Sequence, residues 1–85
     1  MYSLQFSSRA TKGLAASASE AREALLEAIE DLARNPRPPG AKKLSGALAP
    51  AWRIRVRSFR VIYDIHDKER RVVILKVGPR QSIYR

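Results

Sequence analysis

The chain has no cysteine and only one histidine, His66, among its 85 residues. Without thiols there is no disulfide framework and no thiolate metal site. A single imidazole excludes the usual His-cluster metal centres, so neither a metal nor another cofactor is expected. Apolar runs are short. None approaches the roughly 18 residues that a membrane span needs, and no membrane is expected as a partner. The first residues lack the charged-then-apolar layout of a secretory signal, which makes the cytoplasm the expected compartment. Length is scarce too: 85 residues make one domain, expected over 1–85. A chain of this size buries only about 60–65% of its unfolded surface, so its core is thin.

Acidic residues are also few. Eight stand against 17 lysines and arginines, for a net charge of +9. The imbalance is local. Residues 1–34 carry four basic and five acidic residues, a net of −1. Residues 35–50 carry three basic and no acidic residues, +3, and residues 51–85 carry ten basic against three acidic, +7. By itself such polarisation points to a nucleic acid, an acidic protein or an anionic membrane surface as partner.

What the chain has in plenty is alternation. In Trp52-Arg53-Ile54-Arg55-Val56-Arg57 apolar and basic residues take turns without a break. In a strand, successive side chains point to opposite faces. Trp52, Ile54 and Val56 then line a core, and Arg53, Arg55 and Arg57 stand together on the other side. Arg60 and the strand Phe59 to Asp67 follow a tight turn near Ser58. Asp67-Lys-Glu-Arg70 makes the next turn, Arg71 to Val77 is a nearly continuous apolar strand, and Val72 to Val77 reads as central and covered on both faces. Gly78-Pro79 breaks it. Trp52, Phe59 and Tyr63 are read as core, and His66 as surface.

The first half predicts one strand and two helices. Tyr2, Leu4 and Phe6 alternate with Ser3 and Gln5. Ser7 or Ser8 caps a short helix from Arg9 to about Ala16, where Gly13 costs roughly 1 kcal/mol against Ala. Ser17-Ala-Ser-Glu20 fits a capping box for a second helix. Its apolar stripe is Ala21, Ala24, Leu25, Ala28, Ile29 and Leu32, with Arg22, the acids and Arg34 opposite. Asn35-Pro36 ends it, and a Pro/Gly-rich loop runs to Gly46. The expected architecture is α+β, in the order β-α-α-β-β-β. Two N-terminal helices pack on one face of a curved antiparallel sheet, and the opposite face stays open to the arginines.

This order resembles the RelE/ParE superfamily of bacterial toxins from toxin–antitoxin pairs. So do Lys43-Leu44-x-Gly46, the run from Trp52 to Ile65, and Val77-Gly-x-Arg80 leading to Ile83-Tyr84-Arg85. The resemblance covers almost the whole chain. RelE-like members are endoribonucleases that cleave mRNA in the ribosomal A site, and ParE-like members poison DNA gyrase. The ending Val77-Gly-Pro-Arg80 with Tyr84 is more similar to the RelE branch.

The resemblance carries the family's strand-borne basic pair onto Arg53 and Arg55. Its arginine after the hairpin turn falls on Arg60, its arginine after the last strand on Arg80, and its C-terminal tyrosine on Tyr84. It implies a cognate antitoxin and ribosome-bound mRNA as partners.

The chemistry asks for such groups. When a ribose 2′-hydroxyl attacks the adjacent phosphate, the phosphorane needs cations, and arginine pairs two phosphate oxygens at once. Arg60 and Arg80 suit that task, Tyr84 suits base stacking, and Lys42, Lys43 and Arg57 suit RNA binding. Two positions depart from the pattern. Many relatives carry lysine at Arg53 and Arg55, and histidine at Pro79. Arginine stays charged above pH 12 and is a poor base. Three readings stay open on the sequence: mRNA interferase, gyrase poison, and a catalytically weak nucleic-acid-binding relative.

Overall fold

The computed structural model describes residues 1–46 and 50–79. Strand β1 is Ser3–Phe6, helix α1 is Ser8–Ala16 and helix α2 is Ser19–Arg34. Four strands follow: β2 Lys42–Lys43, β3 Trp52–Val56, β4 Phe59–His66 and β5 Arg71–Pro79. The sheet order is β1-β5-β4-β3-β2. The arrangement is α+β as expected, with both helices preceding the main strands. The sheet is mixed, however. The β2-β3, β3-β4 and β4-β5 pairs are antiparallel, and β1 lies parallel to β5. After β1 the helices cross one face of the sheet. Strand β5 then arrives beside β1, running the same way.

Ser7 starts α1 as expected. Its hydroxyl accepts the Ala10 N–H at 3.0 Å and donates to the Leu75 carbonyl at 2.7 Å. Gly13 allows α1 to lie directly on β5, since a Cβ there would run into the Val77 carbonyl. The capping box does not form. The residue before α2 is Ala18, with no side-chain cap bond. Ser17 donates instead to the Gly13 carbonyl at 2.8 Å, because it ends α1. Arg22, expected on the solvent face, reaches back to the carbonyls of Leu14, Ala15 and Ser17 at 2.9, 3.1 and 2.7 Å. It satisfies groups that a helix end leaves open.

Packing replaces the missing cap of α2. A side-chain cap contributes about 1 kcal/mol. Leu25, Ile29 and Leu32 are each fully buried, and each such side chain contributes about 1.5–3 kcal/mol. They meet Leu14, Ile54, Val61, Tyr63, Val72, Ile74 and Val77 in the main core on the helix face of the sheet. Tyr63 donates its hydroxyl to the Pro36 carbonyl at 2.7 Å, and burial pushes its pKa up to about 12.

Two strand boundaries differ from expectation. The loop before Gly46 contains β2, a two-residue strand created by its pairing with β3. Gly78 and Pro79 do not break β5: they pair with Arg60 and Phe59. Proline is tolerated there because it ends the strand. Strand β5 is central, between β1 and β4, but only its helix face is fully covered. Val73, Leu75 and Lys76 on the other side are half-buried.

Candidate functional site

The face of the sheet away from the helices is built in rows. Partners on adjacent strands lie about 4.8 Å apart and share a face. One row crosses four strands as Lys42, Arg53, Ile62 and Lys76. The next is Arg55, Arg60 and Gly78. Between these cations sits a small apolar platform: Ala51 and Ile62 are buried, with Leu44 and Leu75 against them. Among the described strand residues on this face, Asp64 is the only acid.

The arginines are not equally open. Arg55 is exposed, whereas Arg53 and Arg60 are only 5% and 8% exposed. The expectation of three arginines standing free on an open surface is therefore corrected for these two. Both hold interactions within the chain, so neither side chain stands free. Arg55 lies directly across from Arg60. Like charges placed directly opposite are destabilising.

Arg57 leaves the row. It is the first of the two turn residues between β3 and β4, with φ 56°. The left-handed conformation of the turn takes it out of the alternation that was expected to align it with Arg53 and Arg55. Lys43 also departs. It pairs with Trp52, on the helix-face parity, while Lys42 joins Arg53. Lys42, Arg53, Ile54 and Arg55 line a hollow of about 290 Å³ with Pro39 and Gly40. Lys43 lines another of about 460 Å³ with Arg37, Pro50, Trp52, Asp64, Ile65 and His66. Arg80 and Tyr84, expected at the site, lie outside the described residues.

Lys76 is a resident of this face that alternation did not reveal. Counted by twos from Val72 and Ile74, position 76 belongs to the core. The register shifts between Ile62 and Tyr63, passing from Ile62–Lys76 to Tyr63–Ile74 and leaving Leu75 as an extra residue. The available signal was Leu75-Lys76-Val77 itself, where one cation interrupts an apolar run.

Arg37 fixes the loop that brings β2 to this sheet. It donates to both oxygens of Asp67 at 2.9 and 3.3 Å, and its guanidinium stands 5.3 Å from the Trp52 ring centre. Tyr2 donates to Asp67 at 2.6 Å. Hydrogen bonds from Arg37 and Tyr2 hold the Asp67 pKa down to about 2, and the bond to Asp67 raises that of Tyr2. Among the described residues no cluster of His, Cys, Asp and Glu is fit to hold a metal ion.

The family model described as "ParE toxin of type II toxin-antitoxin system, parDE" matches residues 4–84. Solved structures are similar as well. The toxin–antitoxin complex RelBE2 of Mycobacterium tuberculosis matches with TM-score 0.83 and 31% identity, over 93% of this chain and 98% of that one. The archaeal RelE–RelB complex of Pyrococcus horikoshii OT3 matches with TM-score 0.81 and 27% identity, over 95% and 97%. The isolated E. coli RelE toxin matches with TM-score 0.79 and 28% identity, over 93% and 84%. No curated protein sequence matches.

Proposed function

The chain belongs to the ParE toxin family of type II toxin–antitoxin systems, and on that premise we propose that it is a RelE-like mRNA interferase acting on message in the ribosomal A site. The observation that supports this reading is the cation row itself: Arg53, Arg55 and Arg60 gathered on one side of a sheet whose other side is core.

The proposed reaction needs no metal. The ribose 2′-oxygen bonds to the adjacent phosphorus and loses its proton to a base. The phosphorus–O5′ bond then breaks, and O5′ takes a proton from an acid. Arg60, with Arg80, balances the charge on the phosphorane oxygens, and Arg53 and Arg55 hold the flanking backbone. Tyr84 stacks on a base next to the cut. The base is not an arginine, since a guanidinium stays protonated above pH 12.

The M. tuberculosis and P. horikoshii relatives are complexes with their antitoxins. For this chain we infer an antitoxin with an acidic segment that covers the arginine face.

Primer extension on translated message tests the reading. Wild type is expected to produce cuts within A-site codons. Arg60→Ala should lose about 10²–10³ in rate, the scale of one lost charge-stabilising contact. Circular dichroism checks that the variant is folded, and Arg60→Lys supplies a second probe at the same position. Unchanged cutting in both variants removes Arg60 from the site. Intact message with DNA-damage signalling identifies the gyrase-poison reading, which the ParE family match keeps in view.

A further inference from the structure

We propose that Lys76 is an RNA-phosphate contact, delivered to the arginine face by the bulge in β5. The inference rests on the RNA-cleaving reading and adds to it a residue that the family resemblance does not carry.

Parity is the first argument. Val72 and Ile74 are fully buried on the helix face, and strict alternation would send residue 76 into the same core. The extra residue Leu75 reverses the count. Val77 takes the core position, 5% exposed, and Lys76 comes to lie opposite Ile62. Ile62 has Arg53 on its other side, and the next pair of β4 and β5 on this face is Arg60 with Gly78. Lys76 is thus a diagonal neighbour of Arg60, at the roughly 7–8 Å spacing that long side chains span. Gly78 adds no side chain between Lys76 and the end of the row.

The bulge is also held in place. The Ser7 N–H donates to the Ile74 carbonyl at 2.9 Å, and the Ser7 hydroxyl donates to the Leu75 carbonyl at 2.7 Å. The first residue of the α1 cap therefore fastens the two residues at the irregularity. Bulges of this kind re-aim side chains beside functional sites.

Chemistry is the third argument. A lysine in a field of arginines adds repulsion, and Lys76 forms no ion pair among the described residues. Lys76 is half-buried and pairs with Ile62 of the apolar platform, and its ammonium offers three donors and no acceptor. A phosphodiester oxygen is the group that such a cation takes in RNA.

Fluorescence anisotropy of the folded toxin with a 2′-O-methyl single-stranded RNA, which is not cleaved, tests this across a salt series. Lys76→Met keeps the stem and removes the charge. It is expected to weaken binding roughly tenfold at low salt, the low end for a charge-assisted hydrogen bond. The slope of log affinity against log salt should fall by about 0.7, one phosphate contact on a single strand. Lys76→Arg should restore both. A wild-type slope in Lys76→Met, alongside a reduced slope in Arg55→Ala, overturns the role of Lys76 and leaves the RNA reading standing. RNA affinity that ignores salt in the wild type, and Arg55→Ala with no effect, overturn the RNA reading and Lys76 with it. Thermal melts of Lys76→Met and Lys76→Arg that coincide with wild type show that the change is not one of folding.

Discussion

Gly13 shows how a residue that weakens its own element can be required by the fold. In an exposed helix, Gly13→Ala would add roughly 1 kcal/mol of stability. Here the added methyl meets the Val77 carbonyl. Backbone cannot rotate away as a side chain can, so α1 must lift from β5. The expected outcome is a net loss of about 1–3 kcal/mol, the range for overpacking, read as a lower midpoint in urea unfolding. From sequence alone Gly13 is only a flaw in a weak helix. The same limit applies to Arg53 and Arg60. Their face was legible from alternation with Ile54 and Val61, but their burial was not, because it depends on what other segments place over them. Arg57 shows the opposite limit. Its pattern continued the strand, and the two-residue turn took it away.

At the scale of elements, Asp67 joins three pieces of chain that are far apart in sequence: the start of β1 through Tyr2, the loop before β2 through Arg37, and the turn after β4. Its folded pKa of about 2 lies below the ordinary carboxylate value of about 4. A lowered carboxylate pKa stabilises the fold above the unfolded value, and that gain is lost as pH falls from about 4 to about 2. Asp67 is exposed, so the effect is small. Urea unfolding from pH 6 to pH 2 should show a shallower fall for Asp67→Asn than for wild type in that window. The variant should also loosen β2, seen as faster amide exchange at Lys42 and Lys43. Helix α2 and strands β3 to β5 were legible because periodicity marks long elements. Strand β2 and the β5 bulge were not, since two residues carry no period and a bulge is a property of register between strands. The capping box failed for a related reason: Ser17 was already spent on ending α1.

At the scale of the molecule, charge and architecture divide together. Residues 1–34, which form β1 and both helices, carry a net of −1, and residues 51–85 carry +7. The helices are thus a nearly neutral backing for a cationic sheet. An acidic partner on that sheet should bind through many screened contacts and show strong salt dependence. Titration of the complex with the proposed antitoxin is expected to weaken with rising salt. Arg55→Glu should weaken it further and flatten the dependence, because Arg55 is the exposed member of the row. An affinity unchanged by Arg55→Glu would place the antitoxin on another surface.

The parallel pairing of β1 with β5 also has a consequence for synthesis. Among the described strands β1 has no neighbour except β5, and α1 rests on β5 as well. While a ribosome is still making the chain, residues 1–70 have neither a central strand to pack on nor the Lys76 end of the cation row. Folding waits for residues 71–79, and contacts so distant in sequence form late and slowly. A nascent chain of this topology therefore cannot complete its sheet until β5 has emerged.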